Sequence, residues 1–176
     1  MKRLATISLL LLLSVLVAGL DGAAHNQISY TVAPSYFHGF KFHQFHIDEA
    51  LRNRLGASIV GWHASWWMGL VIGLPVLAAG TLVRGTERFV RAFVAALAAV
   101  VGLTFAAGLI ALGYGFATIG PDTLPPWSDA TRLADPVAFA RAGTMHNAAY
   151  LGAIVGTVTG LAVMVAEAVR SRRQRS

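Results

Sequence analysis

Residues 89–119 read FVRAFVAALAAVVGLTFAAGLIALGYGFATI, with Arg91 as the lone charge. The run exceeds the ~20 apolar residues that carry a helix across hydrocarbon. Working outward, three more runs have the same character, at 4–20, 58–83 and 148–169. The 176-residue chain is 56% hydrophobic and 12% charged, where an ordinary soluble domain carries about 25% charged residues. The pattern predicts an all-α membrane protein with four transmembrane helices.

The cations give the four spans a direction. Short loops held on the cytoplasmic side collect Lys and Arg. Lys2 and Arg3 precede the first run, Arg84, Arg88 and Arg91 lie around the 84–88 loop, and Arg170, Arg172, Arg173 and Arg175 lie in the basic tail 170–176. Against Glu87 and Glu167 these nine cations leave +7, whereas the opposite side carries −1. The expected topology is multi-pass in a bacterial inner membrane with both termini cytoplasmic. The formal charge of +6 then reads as topology and contact with anionic headgroups of the lipid bilayer, and nucleic acid is not an expected partner. All six histidines fall on the side away from these arginines. Without cysteine, neither disulfides nor thiolate metal sites are available.

The first run is also readable as a signal sequence, since Met1-Lys2-Arg3 precedes it and Gly22-Ala23-Ala24 follows. Its 17 apolar residues outrun the ~7–15 of a signal's apolar region, which favours a retained helix. Between the first two spans, 21–57 forms an outer segment. Gln27–Val32 alternates polar and apolar residues like a short strand, and Pro34 is placed to open a helix. Phe37, Phe40, Gln44, Ile47, Leu51 and Leu55 then recur at helical spacing, as in an amphipathic helix lying on the interface. Strand and helix together predict a small extracytoplasmic cap over the bundle mouth, docked near Trp62, Trp66 and Trp67. In the other outer segment, 120–147, Asp135-Pro136 reads as an N-cap opening a short helix at Val137–Arg141.

Small residues recur at four-residue steps: Gly61, Ser65, Gly69 and Gly73; Ala98, Gly102 and Ala106; Gly152, Gly156 and Gly160. Such ladders let backbones approach closely in lipid. They serve packing within the chain or, alternatively, self-association or another membrane protein. Pro75 is expected to bend the second span.

No ionisable group falls near the middle of a predicted span, which weighs against an ion-coupled carrier. Neither a phosphate loop, a paired-carboxylate site nor a Ser/His/Asp order is present, so the chain does not read as an enzyme. His63, one turn below the outer end of the second span, and His146 with Asn147, at the start of the fourth, lie at one height and are expected to meet. Neutral imidazoles on separate helices hold divalent transition metals. His63, His146, His25, His43 and His46 are therefore the candidate metal ligands, with ordinary hydrogen bonding the alternative. Asn26, Tyr36, Trp62, Trp66, Trp67 and Asn147 are the candidate ligand or partner surface.

The stretch His25-Asn26-Gln27 through Pro34-Ser35-Tyr36-Phe37, followed by Lys41-Phe42, Phe45 and the Trp66-Trp67 pair with Gly69, resembles a family of uncharacterised bacterial integral membrane proteins. In that family the outer segment begins His-Asp-Gln and continues to Pro-Glu-Tyr-Phe. The resemblance covers roughly 25–73 and implies a four-span inner-membrane protein with a retained first helix and no known activity. Asn26 and Ser35 stand here where the family carries acids, so a cation site using those acids would have lost two ligands. The expected function is a non-enzymatic accessory, sensory or assembly component whose outer cap binds a ligand or partner. The alternative is a small solute or metal-ion transporter or channel with a histidine-containing outer vestibule.

Overall fold

A computed structural model describes residues 2–128 and 134–173, and these are helical with no strand. Asp129 and Arg132 of the outer segment and Arg175 of the basic tail lie outside the described residues. Helix α1 spans Lys2–Val32. A short connection follows, with α2 at Pro34–Tyr36, a π-helical turn at Phe37–Lys41, α3 at Phe42–Gln44 and a 3-10 turn at Glu49–Leu51. The chain then forms α4 at Arg54–Ser65, α5 at Met68–Gly80, α6 at Thr86–Thr118, a 3-10 turn at Pro121–Thr123 and α7 at Pro136–Arg173. Three helices, α1, α6 and α7, are long and apolar enough to cross a membrane, and α4 with α5 makes a fourth span if the bent pair is taken as one.

Several boundaries differ from the sequence reading, each for a local reason. Helix α1 does not stop at Leu20. No residue before Pro34 breaks it, and Ala33, whose place before proline disfavours the helical region, leaves it at φ −137° and ψ 67°. The expected strand at 27–32 is therefore helix, because its backbone bonds continue the ladder already running from below. The expected amphipathic helix over 34–55 is broken: His46 takes φ 51° and reverses the chain, folding Phe37, Phe42 and Ile47 onto Ala57 and Val60 of α4. Helix α7 starts at Pro136, twelve residues ahead of the expected 148. Asp135 Oδ1 accepts the Ala138 N–H at 2.9 Å, so the short helix expected after Asp135 is the first turn of the span itself.

The second span bends by 42° at Trp66-Trp67, not at Pro75, which sits inside a continuous α5. There the Gly69 and Leu70 N–H groups bond to the carbonyls three residues back, a tightened 3-10 turn. The bend lets both halves follow α1. Gly61 packs on Gly22, and Gly69 approaches the Ser14 backbone so closely that a Cβ would collide with it. Ser14 Oγ also lies 2.9 Å from the Gly69 carbonyl.

The helices pair as α1 with α4 and α5, and α6 with α7. Gly152 and Gly156 seat against Leu103 and Val100, so the first and third ladders are seams within the chain. The second faces outward, and Gly102 meets nothing within 4 Å. At the arginine end the two pairs close on a core of Leu77, Phe89, Phe93 and Met164, each at most 3% exposed. Arg3 donates to the Thr81 and Val83 carbonyls at 2.7 and 3.0 Å, and the Arg84 N–H donates to Ser171 Oγ.

Candidate ligand cavity between the helix pairs

Toward the opposite end the two pairs diverge and leave a cavity of about 410 Å³, within the size range of small-molecule sites. On α1 its wall is Ser14, Ala18, Asp21 and His25, whose steps of four and three put them on one helical face. Helices α4 and α5 contribute Gly61, Ser65, Met68 and Ile72, and α6 contributes Leu97, Val100 and Thr104. Helix α7 adds His146, Asn147, Tyr150 and Ala153. Most of this lining is apolar or small, and the Thr104 hydroxyl returns to its own helix at Val100 O. The polar groups concentrate at the upper end.

Asp21 and His25 dominate that end. His25 is 6% exposed, and its ring lies 4.7 Å from that of His146 and 6.1 Å from Phe105, measured between centroids. His146 Nε2 lies 3.1 Å from Ser29 Oγ, which is itself 3.3 Å from the His25 carbonyl. Gly108 gives the pair room, since a Cβ there would stand 3.3 Å from His25 Cε1. Among the described residues, two buried side-chain atoms have no hydrogen-bond partner, Asp21 Oδ1 and His25 Nε2, and both residues line the cavity. An unsatisfied buried polar atom costs about 1–3 kcal/mol.

Above them the 33–53 connection forms a roof. Tyr36 stands edge-on to Phe139 at 5.0 Å, Trp127 lies 6.1 Å from Phe139, and the Trp127 ring covers Gly143. Lys41 Nζ sits 5.3–5.7 Å from the ring centres of Tyr36, Phe40 and Phe45 and donates to Gln44 Oε1 at 2.9 Å. Burial pushes the Tyr36 hydroxyl up to about 12, with Tyr150 adding to the shift, and lowers the Lys41 ammonium from its usual value.

Of the residues expected to act, His25, His146, Asn26, Tyr36 and Asn147 line this cavity. Asn26 is held there by donating to the Ala57 carbonyl at 3.1 Å. His63 is exposed on α4 and outside the lining, and the imidazole that faces His146 belongs to His25. His43 and His46 are exposed on the connection. Among the described residues no group of three or more His, Cys, Asp or Glu is placed to hold a metal ion, so the five histidines do not converge. Trp62 packs over Gly19, Trp66 and Trp67 are 40% and 46% exposed, and none of the three lines the cavity. The roof packs on Ala57 and Val60 of α4 and, through Tyr36, on Phe139 instead. Asp21 was not singled out from sequence, and Lys41 entered only through the resemblance. Asp21 shares the spacing of Ser14, Ala18 and His25, a signal that emerges once α1 is carried past Leu20.

No family model, curated protein or solved structure matches this chain.

Proposed function

We propose that this protein is a non-enzymatic, multi-span membrane component that binds a small ligand in the cavity between its helix pairs, acting as a sensory or accessory protein. The observation that carries the reading is a cavity of about 410 Å³, mostly apolar in its walls, lined by both residues that hold a partnerless buried atom, Asp21 at Oδ1 and His25 at Nε2. Conduction is less well supported, because the core around Phe89, Phe93 and Met164 fills the bundle below the cavity. The basic flank of that closed end supports a cytoplasmic assignment. The 33–53 roof is then an extracytoplasmic cap in a bacterial inner membrane, as the resemblance over 25–73 also implies.

Native mass spectrometry of protein extracted in mild detergent tests the binding reading. We expect a retained small molecule at one per chain, lost when Ala18→Phe fills the cavity. A wild-type protein without adduct, or an adduct unchanged in Ala18→Phe, overturns it. The cysteine-free chain makes the sidedness testable by labelling Ser35→Cys and Thr86→Cys in intact cells. Ser35→Cys should react with an impermeant maleimide and Thr86→Cys should not.

A further inference from the structure

The polar end of the cavity also restricts what would fit it, on the reading that the cavity binds a ligand at all. Asp21 and His25 stand one helical turn apart on the inner face of α1, a spacing that sets Cβ atoms about 5–6 Å apart. A carboxylate only accepts hydrogen bonds, and a neutral imidazole nitrogen accepts in the tautomer that carries its proton on the other nitrogen. The two orphaned atoms, Asp21 Oδ1 and His25 Nε2, therefore call for a head that donates hydrogen bonds at two points about one helical turn apart. Charge narrows the choice further. The lining carries one acid, Asp21, and one lysine, Lys41, so a neutral head leaves the balance even.

The shape indicates where such a molecule enters. Helix α5 packs on α7, but α4 shares no such seam with it, because the bend at Trp66-Trp67 carries α4 away along α1. In that gap Ala64 on one side and Asn147 and Tyr150 on the other both line the cavity and are exposed, Tyr150 by 63%. From the other direction the Tyr36, Phe139 and Trp127 rings close the space. The opening thus faces sideways, toward the surface that apolar residues such as Ile154 and Val158, both 62% exposed, present to the bilayer. We infer that the cavity takes a neutral, membrane-dissolved amphipath whose compact head donates hydrogen bonds, as a hydroquinone does, to Asp21 and His25, with its apolar tail leaving between α4 and α7.

Equilibrium dialysis of the detergent-purified full chain against three decyl-tailed probes tests this: decylhydroquinone, its dimethyl ether and decyltrimethylammonium. The ether keeps the shape and removes both donors; the ammonium keeps the tail and adds a charge. We expect the hydroquinone to bind at least about tenfold more tightly than either, since a hydrogen bond to a buried orphan is worth about 1–3 kcal/mol. In Asp21→Leu the advantage of the hydroquinone over the ether should shrink, and in Asp21→Leu/His25→Leu it should vanish. Equal binding of hydroquinone and ether to wild type would sink the donor assignment while leaving a ligand cavity in place. Tighter binding of the ammonium would overturn the neutral head. Binding of none of the three would overturn this inference, and the retained adduct and its loss in Ala18→Phe would then decide the cavity reading separately.

Discussion

Replacing Gly22 by alanine should unlatch the upper half of α1 from α4. A Cβ at Gly22 would stand 2.5 Å from both the Gly61 carbonyl oxygen and Ser65 Cβ, where ordinary contact begins near 3.4 Å. Ser65 Oγ, which is closer still, can rotate away, but the Gly61 carbonyl is backbone and Ser65 Cβ does not move with its own torsion, so the two helices must separate by nearly 1 Å over that turn. The separation acts on the bonds just above. Asn26 donates to Ala57 O at 3.1 Å, and Gln27 donates to Arg54 O at 2.8 Å and Ser58 Oγ at 2.7 Å. Overpacking costs about 1–3 kcal/mol, and a lengthened hydrogen bond loses up to about 1 kcal/mol. A destabilisation of about 1–4 kcal/mol follows, from which the helix preference of alanine over glycine subtracts up to about 1 kcal/mol.

The same substitution at Gly102 supplies the control, because a Cβ there meets nothing within 4 Å. Relief of the glycine penalty inside a helix makes Gly102→Ala neutral or stabilising by up to about 1 kcal/mol. Reversible unfolding in mixed micelles, titrated with sodium dodecyl sulfate and followed by tryptophan fluorescence, measures both. If Gly22→Ala loses no more stability than Gly102→Ala, the close seam between α1 and α4 is refuted.

Three further outcomes are expected. In a double-mutant cycle, His25→Ala and His146→Ala should depart from additivity by about 0.5 kcal/mol or more, as neighbours do, while exposed His63→Ala should change stability by less than about 0.5 kcal/mol and add independently to His146→Ala; the same unfolding titration checks both. Arg3→Gln should destabilise by about 1 kcal/mol, since two carbonyls at the end of the second span, Thr81 O and Val83 O, lose a charged donor, with Arg3→Lys recovering part of it. Because the folded Tyr36 hydroxyl is raised from 10.0 to about 12, its contribution is fully present below pH 10 and is lost between pH 10 and 12. Lys41, lowered from 10.5, acts with opposite sign as pH rises toward 10.5, so Tyr36→Phe should flatten the fall of Tm between pH 10.5 and 12.

The apolar runs made the spans legible because run length is a direct consequence of bilayer thickness. Helix ends were not legible in the same way, since a helix stops at a steric or capping signal and not where its composition turns polar. Pro34 ends α1 and Asp135-Pro136 begins α7, each about twelve residues beyond the apolar edge, and the second of these signals was read correctly but assigned to a separate short helix. The site was half visible for a related reason. Spacing along a span gives depth but says nothing of azimuth. His63 is exposed and outside the cavity lining, whereas His25 joins His146 because α1 continues far enough to carry it there. The same extension moves Asp21 from an expected loop into the wall of the cavity.

Residue size explains why the helix pairs part at one end only. Below, Phe89, Phe93, Leu77 and Met164 pack into one buried core. Above, the wall includes Ala18, Ala64, Ala149 and Ala153, too small to fill the space that the lower side chains set between the backbones. A bundle optimised for stability alone would place leucines there and would spare the orphaned atoms of Asp21 and His25, which cost about 1–3 kcal/mol each. Gly22 and Gly61 draw α1 tightly onto α4, while α4 forms no comparable seam with α7, so small residues close the seam and small wall residues leave the cavity open. The aromatic roof then adds bulk where the wall lacks it, with Tyr36, Phe139 and Trp127 closing the space above the two polar groups and the gap beside Tyr150 left as its way in.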